Sequence, residues 1–169
     1  MSDVEDLNPP WLPAAEAILQ AAIDKDLARV AELMDTAVEE HGSAVPSGFP
    51  LAWIDALRQR IGVPVGARVH THHRNGDTGQ DVRVPPPGVL WASKLITARI
   101  ARDQQAYHAL IEEAWAGGRF ADHLCELLLV VAETINAAAN GPVARLRTAG
   151  SGGPRVAHTH GLGDVRPPV

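Results

Sequence analysis

Apolar positions recur with a helical period along most of this chain. Residues 1–10 end in Asn8-Pro9-Pro10 and read as a loose leader. After them Leu12, Ala15, Leu19, Ala22 and Ile23 fall on one stripe, and Val30, Leu33, Met34, Ala37 and Val38 form a second one beyond the break at Asp24-Lys25-Asp26. The two stripes predict an antiparallel helix pair. Asp26 is placed to cap the second helix, because its carboxylate can accept the free backbone N–H groups of the next turn, and His41-Gly42 supplies the stop. Residues 43–48 carry turn chemistry. A third helix is expected over 50–61, with Trp53, Ile54, Leu57 and Ile61 inward, ending before Gly62-Val63-Pro64.

The helical period lapses over 62–88, where Gly, Pro, Asn, Asp and His residues indicate a long connector with a short extended piece at 67–71. It then returns in a fourth helix over 89–101. Asp103 caps a fifth helix with Tyr107, Leu110, Ile111, Ala114 and Trp115 inward, and Gly117-Gly118 ends it. The sixth, over 121–139, is apolar on most sides. Leu124, Leu128, Val131 and Ile135 share one face while Leu127, Leu129 and Val130 fill others, the pattern of a central bundle helix. Asn140-Gly141-Pro142 stops it, and residues 148–169 read as a flexible, Pro-containing tail.

A shift of 77 positions lays the first helix pair on the second. Pro9 and Pro10 meet Pro86 and Pro87; Ile18, Leu19, Ala21, Ile23 and Asp26 meet Leu95, Ile96, Ala98, Ile100 and Asp103; Val30, Leu33, Met34 and Ala37 meet Tyr107, Leu110, Ile111 and Ala114. With a small gap, Phe49 and the third helix fall on Phe120 and the sixth. Any two amphipathic hairpins agree at core positions, but loops have no hydrophobic period to force agreement. Even so, His70-Thr71-His72 followed by Asp81-Val82-Arg83 and Pro85-Pro86 reappears as His158-Thr159-His160 followed by Asp164-Val165-Arg166 and Pro167-Pro168. The expectation is an all-α protein of about six helices, built as two tandem three-helix units over 10–87 and 88–169. They pack into one helical domain, 1–147, because three helices alone make a poor core.

Composition narrows the class. The 169 residues are 46% apolar and 21% charged, the usage of a folded globular chain. The longest apolar run, 127–132, is far short of the roughly 20 residues of a membrane span. The first residues carry Asp3, Glu5 and Asp6 where a secretion signal would be positive, so a cytoplasmic protein without membrane contact is expected. Arginine outnumbers lysine 13 to 2, a bias associated with GC-rich bacterial or phage genomes. The net charge of -5 divides unevenly, from -7 over residues 1–61 to +3 over 141–169. Arg68, Arg74, Arg83, Arg145, Arg147, Arg155 and Arg166 lie outside the helices and allow a weak nucleic-acid reading through phosphate contact. The acidic body and the lack of loop aromatics rank that reading below the others.

The most specific chemical pattern is the doubled His-x-His. On an extended segment such residues share a face about 7 Å apart, from which both can reach one metal ion. His70, His72, His158 and His160 are therefore the candidate ligands for a four-coordinate zinc ion, or three of them with a water at an open, hydrolytic position. His73 is a spare, and Asp77, Asp81 or Asp164 could orient the rings. Solvated loop histidines are the plainer reading of the same residues.

The remaining candidates have structural explanations. His108 with Glu112 and His123 with Glu126 share helix faces as surface pairs do. Cys125, the lone cysteine, excludes an internal disulfide and reads as a small buried hydrophobe. Trp11, Trp53, Trp91 and Trp115 read as core. The chain has no phosphate-binding loop, dinucleotide fingerprint, nucleophile elbow or His-Glu-x-x-His. With no catalytic residue assigned, the leading expectation is a non-catalytic adaptor or regulator that binds another protein or itself, without a cofactor. A zinc-binding protein is the alternative.

Overall fold

The helical stripes become six helices in a computed structural model, which describes residues 8–70, 85–140 and 156–158. They are α1 (Leu12–Ile23), α2 (Leu27–His41), α3 (Ala44–Arg60), α4 (Pro87–Ala101), α5 (Gln104–Ala116) and α6 (Phe120–Asn140). Two three-residue strands, β1 (Arg68–His70) and β2 (Val156–His158), complete the described elements. β1 falls inside the extended piece expected at 67–71. The fold is all-α, and the helices pack as a bundle. No helix among the described residues is long and apolar enough to cross a membrane.

Both hairpins turn in the same way. Lys25 follows α1 and Arg102 follows α4, each in the left-handed region at φ 61° and 60°, so that the backbone reverses without glycine. The next residue then caps the following helix. Asp26 accepts the Arg29 backbone N–H at 3.0 Å, and Asp103 accepts that of Ala106 at 2.9 Å. The Asp26 N–H donates to the Ala21 carbonyl and the Asp103 N–H to the Ala98 carbonyl, both at 2.9 Å. All of these positions are related by the 77-residue shift.

α3 starts six residues earlier than the sequence suggests. Pro46 lies in its first turn, where a missing N–H costs nothing, and the Ser47 hydroxyl donates to the Ser43 carbonyl at 2.9 Å. The early start buries Val45 and Phe49 completely enough to offset the backbone bond that Pro50 cannot make. Gly48 permits it sterically: a β-carbon there would lie 2.5 Å from the Trp11 ring. Trp11 packs across Gly48 onto Phe49, with ring centroids 5.9 Å apart.

The core lies between α1, α3, α4 and α6, where Ile18, Phe49, Ile54, Leu57, Leu95, Ile96, Leu127 and Val131 are sealed from solvent. α6 is buried along both sides of its axis, as expected of a central helix, although Leu129 stays partly exposed. α2 and α5 lie outside this core and bury little beyond Ala37 on one and Tyr107 and Ala114 on the other. Each helix contact has a counterpart when α1, α2 and α3 are exchanged for α4, α5 and α6. Thus α1–α6 answers α3–α4, and α3–α6 answers itself. Two packed, equivalent units require such a pattern.

The units also cap one another. Asn136 on α6 donates through Nδ2 to the Ile23 carbonyl at the end of α1, at 2.9 Å. At the equivalent end of α4, the Ile100 carbonyl accepts from the Gly66 N–H at 2.8 Å. Arg99 on α4 grips Asp55 on α3 in a two-pronged pair, Nε to Oδ1 at 3.1 Å and Nη2 to Oδ2 at 2.7 Å.

Candidate functional site

β1 and β2 bring the two His-containing segments together. They pair in parallel, with Arg68 opposite Val156, Val69 opposite Ala157 and His70 opposite His158. The residues that repeat in the sequence thus occupy one register position, in neighbouring strands about 4.8 Å apart. β1 also packs against α4, which ties the strand pair to the helical body. Of the four candidate ligands, His70 and His158 are placed in this way, whereas His72 and His160 lie outside the described residues. His73, Asp77, Asp81 and Asp164 lie outside them too. Within the segment read as a flexible tail, Val156–His158 is a strand held by backbone bonds, and the rest of that segment is not among the described residues.

No group of three metal-capable side chains occurs among the described residues. His108 is exposed on α5 with Glu112, as a surface pair would be. His123 is half-buried, its ring 5.2 Å from that of Trp91. Gly88 lets α4 approach this point, since a β-carbon there would meet Glu126 at 2.7 Å.

Two residues differ from their expected places. Cys125 is exposed, because it points away from the α6 stripe made by Leu124, Leu127 and Leu128. Partial desolvation first, then Asp122 and Glu126, push its thiol up, so it is no ready nucleophile. Trp115 is 56% exposed, one residue before the end of α5, with one ring face against a neighbour. That face lies flat on Phe120, with centroids 4.5 Å apart and planes 4° from parallel. Phe120 is itself buried and met edge-on by Trp91.

The result is an aromatic platform at the α5–α6 corner. Ala114 just before Trp115 and Gly117 two residues after it line a groove of about 310 Å³ together with Leu90, Lys94 and His123. Leu90 is itself one of the exposed large apolar residues. Sequence periodicity places Trp115 on the inward stripe beside Ala114; only the tertiary structure shows it to be solvent-facing. The other tryptophans are structural. Trp53 and Trp91 are buried, and their indole N–H groups donate to the Ala15 and Leu110 carbonyls, both at 2.8 Å.

Comparison with protein-family models, with curated proteins and with solved structures finds no match.

Proposed function

We propose that this protein is a non-catalytic helical interaction module, an adaptor or regulator, that docks another protein or a second copy of itself at the α5–α6 corner. The observation that supports this reading is Trp115, exposed over more than half its surface yet fixed by stacking on Phe120. An aromatic side chain held in place before binding loses little entropy on association, and tryptophan is the residue most enriched among binding hot spots. Leu90 and the neighbouring groove extend the apolar face. A cytoplasmic setting in a bacterium or phage belongs to the same reading; the lone cysteine and the arginine-rich composition are its support.

Sedimentation of the intact chain beside Trp115→Ser tests it. Self-association lost in the variant, at an unchanged melting temperature, is the expected result for a self-docking face. For a heterologous partner, a photo-reactive residue at position 115 should crosslink one protein in cells, and a distant surface position should not. The reading fails if the substitution changes neither self-association nor crosslinking.

A second reading is favoured by the register of β1 and β2: the two His-Thr-His segments bind a zinc ion. Imidazole nitrogen suits zinc, and two such residues at one level of adjacent strands are close enough to share an ion. His72 and His160, two residues further along each segment, would complete the set. If the ion is present, chelation lowers the melting temperature, and His70→Ala with His158→Ala abolishes both metal content and the chelator effect. The metal-dependent stability should fade as pH falls through about 6.5, because only neutral imidazole ligates. Stoichiometric zinc that leaves melting unchanged sinks this reading.

A further inference from the structure

A further concavity lies away from both features, between α3, α4 and α5. It holds about 720 Å³, within the range of small-molecule sites. Its apolar wall is made by Pro46, Leu51, Val65 and Ile111. Its charged groups are Arg58, Arg99 and Arg102 against Asp55 and Asp103, so with histidine left out of the count the lining carries one excess positive charge in a protein of net charge -5.

Both carboxylates are already engaged. Asp103 caps α5, and Asp55 is held by Arg99. Arg58 spends one N–H on the Val63 carbonyl at 3.2 Å. The Nη1 group of Arg99 and the side chain of Arg102 make no hydrogen bond among the described residues.

Tyr107 lines the cleft with only 9% of its surface exposed, and its hydroxyl has no hydrogen-bond partner among the described residues. A buried hydroxyl left unbonded costs on the order of 1–3 kcal/mol, so natural structures seldom keep one without a use. Burial pushes this phenol up to about 12, Arg99 opposing and Asp55 assisting, so at neutral pH it is an O–H able to donate. It lies within the electrostatic reach of the Arg99–Asp55 pair.

We infer that the α3–α4–α5 cleft binds a small monocarboxylate with an apolar body, its carboxylate held by Arg99 and Arg102. A single negative charge neutralises the lining, whereas a phosphate dianion would leave an excess. The apolar wall takes the rest of the ligand. This goes beyond the docking face at Trp115, which shares no residue with the cleft.

Tyr107 is the one tyrosine in the chain, so fluorotyrosine-labelled protein gives a single fluorine resonance from the cleft. Octanoate at millimolar concentration is expected to shift that resonance saturably and to raise the melting temperature. Octanamide and inorganic phosphate should do neither. Arg102→Gln, an exposed substitution that keeps the core intact, should weaken octanoate about tenfold, the loss of one charge-assisted contact. The inference is overturned if octanoate has no effect, if octanamide or phosphate acts equally, or if Arg102→Gln binds octanoate as the unaltered chain does.

Discussion

Tyr107 shows how one residue can carry consequences that its sequence position does not announce. It stands where the first unit has Val30, and both positions face inward by helical period. The hydroxyl is what differs, and its surroundings raise the phenol from 10 to about 12. A group whose folded pKa lies above its unfolded value stabilises the fold fully below the unfolded value and loses that contribution as pH rises through the folded one. For Tyr107 the window runs from about 10 to about 12, with up to about 2–3 kcal/mol at stake. Denaturant unfolding of the unaltered chain should therefore weaken across that window by more than that of Tyr107→Phe. Parallel curves for the two proteins would mean that the phenol is not desolvated. At the same scale, Trp115 and Cys125 show the limit of a stripe drawn on a helical wheel. The stripe says which way a side chain leaves its helix, but not whether another element extends far enough to cover it.

Among the elements, the helix pairs are the most completely encoded. Asp26 and Asp103 each stand at the break between two apolar stripes, where a capping carboxylate is worth most, and the structure gives both the same hydrogen bond and the same backbone conformation. Asp26→Ala and Asp103→Ala should each destabilise the protein by about 1 kcal/mol, and the two losses should add, because the caps share no partner. Thermal melts of the two single variants and the double variant check this. A loss at one cap only would mean that the two turns are not equivalent in energy. The start of α3 was less legible. Residues 43–48 are turn formers by local chemistry, but Gly48 beneath Trp11 and the burial of Val45 and Phe49 make helix the better conformation. Local preference is weak, on the order of 1 kcal/mol or less per residue, and burying an aromatic side chain outweighs it. β1 and β2 are a similar case, since three residues of strand hold only when another segment supplies the ladder.

For the whole molecule, the decisive feature is that α3 and α6 face one another while each unit's first helix reaches across to the other unit. The units therefore share a core, and the protein should unfold in one cooperative step. Leu128, 3% exposed on α6, tests this dependence. Leu128→Asp places an unpaired charge in the shared core at a cost of several kcal/mol, comparable with the stability of a domain this size, so both units should unfold together. Circular dichroism and tryptophan fluorescence report on both. A soluble, cooperatively melting variant would remove α6 from the centre of the bundle.

The amino-acid sequence by itself determined the helices and their caps, because these depend on spacings of 3 to 4 residues and on side chains that bond to nearby backbone, and it carries the 77-position correspondence between the two halves. It also marked His70 and His158 as a related pair. The tertiary structure decided the rest, because each such feature joins residues far apart in the chain: the parallel register that sets His70 level with His158, the exposure of Trp115, and the cleft that gathers Asp55, Arg99 and Tyr107. A hydrophobic period specifies which face of a helix turns inward; only packing against the other helices fixes what that face meets and what it leaves uncovered.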